Sequence, residues 1–313
     1  MEEKVTMDPW VSTLIVVAGV GIGLWLLSFV AEALRPIPKT PATLRWAPDI
    51  PVNYVEVDGT KLRYIKTGAG PVVVLLHTLR TQLDLFEKVV PELSKRFSVY
   101  AVDYPGHGYS EIPNARYDAA FFTKAVEGFL DRLDLREITL VGVSIGGVIP
   151  LIIAARRNPR VARVIAINPY DYAKGRGMAR SSVLGWLITY ASLVPVIGET
   201  VNRLRNFVIM KAVLRGGVAD PKSIPPALMQ EMYAVGNRRG HYRAFIWGDR
   251  DWARPSERQR TRSLIAGAEM KTVEQGGHFL PLDRPGDVVQ LITSFASGGR
   301  TDLGANSGET HAD

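Results

Sequence analysis

Short runs of β-branched and apolar residues at 52–57, 61–66, 71–77, 97–102, 138–143 and 161–167 read as strands. Asp58-Gly59 joins the first two as a hairpin turn. The later runs are almost wholly apolar, the pattern of parallel strands covered on both faces. Between and after them, apolar positions recur at helical spacing over 82–96, 117–133, 145–157, 255–266 and 286–297. Two further strand-like runs lie at 243–247 and 269–274. Strands alternating with helices after an initial hairpin predict a mainly parallel, doubly wound α/β sheet, formed by residues 52–169 and 242–297. Residues 170–241 break the rhythm with helix-like, partly apolar sequence and read as an inserted helical lid.

The two ends follow different patterns. Residues 9–31 carry no charge and are apolar all round, long enough to cross the ~30 Å hydrocarbon layer as one helix. The preceding residues are acidic (Glu2, Glu3, Asp8) and the apolar stretch is long, so residues 1–34 read as an uncleaved single-pass anchor rather than a signal peptide. Gly19-x-x-x-Gly23 permits close pairing of two such helices, a route to a homodimer. Arg35, Lys39 and Arg45 outnumber Lys4 across the segment, which predicts a cytoplasmic catalytic domain. Prolines 36, 38, 41, 48 and 51 make residues 35–51 a semi-stiff spacer, expected to lift the domain off the membrane. Residues 298–313 are polar and glycine-rich, without periodicity, and read as a disordered tail.

The net charge of +7 is carried by basic clusters at 174–215, 238–243 and 250–262, and for a tethered protein their natural partner is an anionic lipid surface. No nucleic-acid module is recognisable. Cysteine is absent, so no disulfide contributes, and no histidine–carboxylate spacing implies a metal or other cofactor.

Candidate chemistry begins in the run Ile138-Thr-Leu-Val-Gly-Val-Ser144-Ile-Gly-Gly-Val148. A strand delivers a serine at a sharp turn into a helix, with Gly142 and Gly146 removing side chains where strand and helix approach. Two later strand-like runs end in Asp249-Arg-Asp251 and in Gln-Gly-Gly-His278-Phe-Leu-Pro. A serine hydroxyl becomes nucleophilic when an imidazole takes its proton, and a carboxylate orients that imidazole, so the order Ser, Asp, His along one sheet edge suits acyl transfer.

On these motifs the chain resembles the α/β-hydrolase superfamily, from about residue 52 to residue 295, and Asp103-Tyr-Pro-Gly-His-Gly-Tyr-Ser110 is similar to that family's loop after its fourth strand. The nearest subgroups are lidded ones related to epoxide hydrolases, haloalkane dehalogenases and carboxylesterases. The first two place an aspartate where this chain has Ser144. The resemblance therefore implies an ester-cleaving serine hydrolase without a cofactor: Ser144 the nucleophile, His278 the base, Asp251 the orienting acid, with Asp249 or Asp171 as alternative acids. It also implies an oxyanion hole from the N–H groups of Leu79 and Ile145. A thioesterase, a lipase and a carbon–carbon bond hydrolase share this machinery. The apolar lid and the anchor imply a hydrophobic or lipid-like substrate. Two departures, Thr78 where the family has glycine and a short approach to Asp251, support a second reading: a hydrolase-like membrane protein that binds a lipid or partner with weakened turnover.

Overall fold

The computed structural model describes residues 8–169, 194, 196–241 and 273–297. Helix α1 (Pro9–Ala33) starts where the Asp8 carboxylate accepts from Trp10 N–H at 2.9 Å and Pro9 takes a position that needs no N–H. It is exposed along its length except at the buried Ser28 and Glu32 and the half-buried Ser12 and Ala31, and it is long and apolar enough to cross a membrane.

Among the described residues, six strands form one sheet: β1 (Val52–Val57), β2 (Thr60–Thr67), β3 (Val72–Leu76), β4 (Ser98–Val102), β5 (Ile138–Val143) and β6 (Val161–Ile167). Their order is β1-β2-β4-β3-β5-β6. The β1–β2 hairpin and the β2–β4 pair are antiparallel, while β4–β3–β5–β6 is parallel. Alternation divides the strands between two cores. Val73, Leu75, Val99, Ala101, Val141 and Val143 face one layer, and Val74, Leu76, Tyr100, Val102, Ile138 and Leu140 face the other.

The helices α3 (Ala119–Arg132) and α4 (Ile145–Ala155) cover the second face. Asp118 starts α3 by accepting from Phe121 N–H at 2.9 Å, and Phe122, Val126, Phe129 and Leu130 form its buried stripe. The first face receives α9 (Pro285–Ala296), through Val288 and Ile292, and part of α7 (Pro226–Gly236), through Leu228 and Met232. Between β6 and α7 lie α5 (Ile197–Arg203) and α6 (Phe207–Arg215), and the short α8 (Leu280–Asp283) precedes α9.

Two expectations are corrected. The helix expected over 82–96 is a 3-10 turn at Leu83–Phe86 and a single turn, α2 (Val90–Leu93). Pro91 supplies no N–H to continue a helix from the preceding turn, and the Asp103 carboxylate binds Leu83 N–H at 2.8 Å. The proline-rich segment is no free spacer either. Leu44 is buried in the core, Trp46 Nε1 donates to Asp84 at 2.7 Å, and Arg45 pairs with Glu87 and, at 3.4 Å, with Glu231 of α7. The expected strand at 243–247, the helix at 255–266, the lid residues 170–193 and the tail 298–313 lie outside the described residues. Val273 and Glu274, expected at the end of a strand, occupy a loop and a turn.

A buried cation organises the junction of β2 and β4. Arg63 Nε donates to Asp103 at 2.5 Å and its Nη2 to Asp84 at 2.9 Å, with both acids fully buried. Burial disfavours the Arg63 charge, but Asp103 and Asp84 more than offset this, so its pKa is raised. Asp103 also accepts from Tyr109 N–H at 2.9 Å, and thus ties β2, β4 and the loops after β3 and β4 together. Replacing Arg63 by Met leaves two buried carboxylates without their cation. Chemical denaturation of Arg63→Met should show a loss of about 3–5 kcal/mol; a loss below about 1 kcal/mol would remove this cluster from the account.

Candidate active site

The turn from β5 to α4 is compressed against the end of β3. A Cβ on Gly142 would collide with the carbonyl of Gly146, and one on Gly146 would collide with the carbonyl oxygens of Leu76 and His77. Only glycine at both positions lets α4 start so close to two strand ends. The residue between them, Ser144, takes φ 58° and ψ −118°, a left-handed conformation that costs a side-chain-bearing residue about 1–3 kcal/mol. Its N–H donates to Ile167 O at 2.8 Å, and its own carbonyl accepts from Gly147 and Val148. Ile145 is the first residue of α4, a position whose N–H has no acceptor within the helix.

Leu79 lies, buried, in the loop that follows β3. That loop is closed by the Thr78 carbonyl, which accepts from Thr81 Oγ1 at 2.8 Å and from His77 Nδ1 at 2.7 Å. His77 Nε2 in turn accepts from Tyr104 N–H at 3.1 Å, which fixes the neutral Nδ1–H tautomer. The left-handed residue of this loop is Arg80 (φ 62°) rather than Thr78. Threonine at 78 therefore requires no forbidden backbone angle.

His278 sits on a loop pinned from several sides. Asp283 accepts from Gly277 N–H at 2.9 Å and from Ala219 N–H at 2.9 Å, while Phe279 N–H donates to Gly217 O at 2.7 Å. A Cβ on Gly277 would reach Asp283 Oδ2 and, at 2.7 Å, the backbone of Val218, so the glycine there is required by packing. Asn168, just beyond β6, donates from Nδ2 to the carbonyls of Gly277 at 3.1 Å and His278 at 3.3 Å. Ile167 is bonded to Ser144 and Asn168 to the His278 loop, so consecutive residues at the end of β6 bring the two candidate groups to one sheet edge. Asp251, Asp249 and Asp171 lie outside the described residues.

Sequence reading missed Asn168 and Asp283. Neither sits in a motif, and a single asparagine after a strand carries no signal until its partners are known. It also missed the Arg63–Asp84–Asp103 cluster, because an arginine at an alternating strand position reads as solvated.

Residues 71–201 match the family described as alpha/beta hydrolase fold. The uncharacterized protein Rv2715 of Mycobacterium tuberculosis is 24% identical over 84% of this chain and 84% of its own length. The mouse sn-1-specific diacylglycerol lipase ABHD11 is 25% identical over 79% of this chain and 85% of its own. Among solved structures, Cfl2 from Burkholderia cenocepacia superposes with a TM-score of 0.67 at 22% identity, covering 83% of this chain and 99% of that one. With its strand order, its serine turn and the family match over residues 71–201, the chain has the α/β-hydrolase fold.

Two predictions follow from these contacts. Gly142→Ala should destabilise the protein by about 3 kcal/mol, because the methyl meets backbone that cannot yield. Gly286→Ala is the control: nothing lies within 4 Å of its Cβ position in α9, and the substitution should be neutral or stabilising by up to about 1 kcal/mol. Equal effects of the two in a denaturant titration would contradict the close approach.

The second concerns pH. Burial holds His77 and His107 down to about 3 and His241 well below its ordinary value, so the folded protein keeps all three neutral where the unfolded chain, near 6.5, protonates them. Glu231 opposes this. Burial and then the Asp84 charge lift it to about 7, so between about pH 4.5 and 7 the folded state carries its proton and the unfolded state sheds it. Three histidines outweigh one glutamate. Stability should therefore fall as pH drops below 6.5, at about 2–3 kcal/mol per pH unit near pH 5.5, and Glu231→Gln should steepen the fall to about 4. A flat profile from pH 7 to 5 would contradict the buried neutral histidines.

Proposed function

We propose that this protein is a membrane-anchored serine hydrolase that cleaves an ester-type bond of a hydrophobic substrate through an acyl-serine intermediate. The observation that carries this reading is the strained, glycine-flanked Ser144 at the N-terminus of α4. A side-chain-bearing residue is held at φ 58° only where its surroundings over-determine it, and a strained strand-to-helix turn of this kind suits the presentation of a nucleophilic hydroxyl.

In the proposed cycle His278 takes the Ser144 hydroxyl proton as Oγ attacks the substrate carbonyl. The resulting oxyanion accepts from the N–H groups of Leu79 and Ile145. His278 then gives the proton to the leaving alkoxide, and the acyl group remains on Ser144. A water molecule, deprotonated by the same imidazole, attacks the acyl-enzyme and releases the acid. Asp251 is the proposed orienting carboxylate, with Asp249 and Asp171 as alternatives. No cofactor enters these steps.

The hydrophobic substrate class is supported by the long apolar helix α1 and by the diacylglycerol lipase among the relatives. The anchor reading rests on the length and uncharged sequence of α1, and the basic residues that follow it favour a cytoplasmic domain.

Turnover of p-nitrophenyl esters of graded acyl length by the full chain in detergent or vesicles tests this. Longer acyl chains should be preferred, and Ser144→Ala and His278→Ala should each lower kcat/KM by about 10³-fold or more without loss of fold. Of the three acids, Asp251→Ala should have the largest effect. Turnover unchanged in Ser144→Ala would overturn the assignment, and equal rates for short polar and long esters would overturn the substrate class. Binding of long-chain esters without any turnover by folded wild type would favour the lipid-binding reading.

A further inference from the structure

The end of α1 is docked on the helices that follow β6. Glu32 Oε2 accepts from Arg35 Nε at 2.9 Å and from Arg205 Nη1 at 2.9 Å, and its other oxygen accepts from Gly240 N–H at 2.6 Å. Arg35 Nη2 donates back to the carbonyls of Arg203 at 2.6 Å and Arg205 at 2.8 Å. One turn lower, Ser28 is fully buried and the Arg203 guanidinium lies 4.0 Å from the centroid of the Phe29 ring. Glutamate, two arginines and backbone carbonyls satisfy one another there, so the junction is a fixed joint rather than a hinge.

The joint sets a depth. About twenty helical residues cross the ~30 Å hydrocarbon layer, and Trp10 to Phe29 is such a length without a charge. Glu32 and Arg35 then mark where α1 leaves the apolar layer, and the α5 contacts at Ser28 and Phe29 lie at its boundary. The contacts ascend together, Arg203 at Ser28 and Phe29 and Arg205 at Glu32. The chain before Arg203 therefore continues toward the apolar part of α1.

The chain around this joint is apolar and exposed. Val194, Val196 and Ile197 at the start of α5, Val208 at the start of α6 (69% exposed), and Leu34 and Ile37 after α1 are all exposed. A soluble domain rarely gathers so many exposed aliphatic residues around one joint.

We propose that this face is a membrane-contact surface: the starts of α5 and α6 sit in the lipid bilayer beside α1, so that α1 and these helices enter the membrane as one rigid unit. The occupant is the lipid bilayer, because the face is continuous with the helix that spans it. The inference rests on the anchor reading above and goes beyond it, since a tether alone would leave α5 and α6 in water. It places α6, which runs into the Gly217–Ala219 segment bonded to the His278 loop, at the lipid surface.

The chain contains no cysteine, so single cysteines report cleanly. The full chain carrying Ile197→Cys, Val208→Cys, Val20→Cys or Arg136→Cys is labelled with an environment-sensitive fluorophore and reconstituted in phosphatidylcholine–phosphatidylglycerol vesicles with and without nitroxide-bearing lipid. Val20 lies within α1, and Arg136 precedes β5 at the opposite end of the sheet from Ser144. We expect the probes at 20, 197 and 208 to shift to the blue and lose emission to the nitroxide lipids, and the probe at 136 to do neither. Quenching at 20 with 197 and 208 behaving like 136 overturns the contact surface and leaves the anchor standing. An unquenched probe at 20 overturns the anchor and the contact surface together.

Discussion

The close approach of α4 to the ends of β3 and β5 is the constraint on which the rest of the site depends. Because Gly142 and Gly146 carry no Cβ, the backbone of α4 rests against the carbonyls of Leu76 and His77. That contact puts the loop carrying Leu79 beside the N-terminus of α4, and it forces Ser144 into a left-handed conformation between them. Ser144 then reaches the end of β6, whose next residue holds the His278 loop. Backbone geometry thus brings the serine and the two candidate N–H donors to one end of the sheet, and the Asn168 side chain holds the His278 loop at the same end.

Around this turn the protein spends buried charge to fix loops rather than to react. Arg63 binds Asp84 and Asp103, and Asp103 reaches the amides of Leu83 and Tyr109. His77 is locked as a neutral tautomer between Thr78 and Tyr104. These groups hold the walls, and breaking them should first cost stability. A second charged joint, Glu32 with Arg35 and Arg205, does the same for α1 and the helices after β6. The apolar helix is thereby tied to the helices after β6, and the proline-rich segment packs against the sheet core through Leu44 and Trp46.

Much of this was legible in the sequence because it is written in local rules. The alternation of β1 to β6, the Asp58-Gly59 turn, the glycine-flanked Ser144 and the uncharged length of α1 each follow from spacing alone, and these appear at the expected positions. The misreadings share a cause. Residues 82–96 carry helical periodicity, but a distant carboxylate, Asp103, claims the amide of Leu83, and Pro91 interrupts the run. The prolines of 35–51 suggest a spacer, but Leu44, Arg45 and Trp46 find partners far along the chain. Asn168 gains meaning only through Gly277 and His278, 109 and 110 positions away, and Asp283 through Gly277 nearby together with Ala219, 64 positions back, so no local window contains these partners. Local pattern specified the elements; long-range polar contacts specified how loops join them.

The central claim is that the strained turn presents Ser144 as a nucleophile. Treating the folded full chain with a fluorophosphonate and mapping the adduct by mass spectrometry tests this most directly. The account predicts a single adduct on Ser144 whose formation is abolished by prior acid unfolding. A folded chain that forms no adduct, or forms it on another residue, would contradict it.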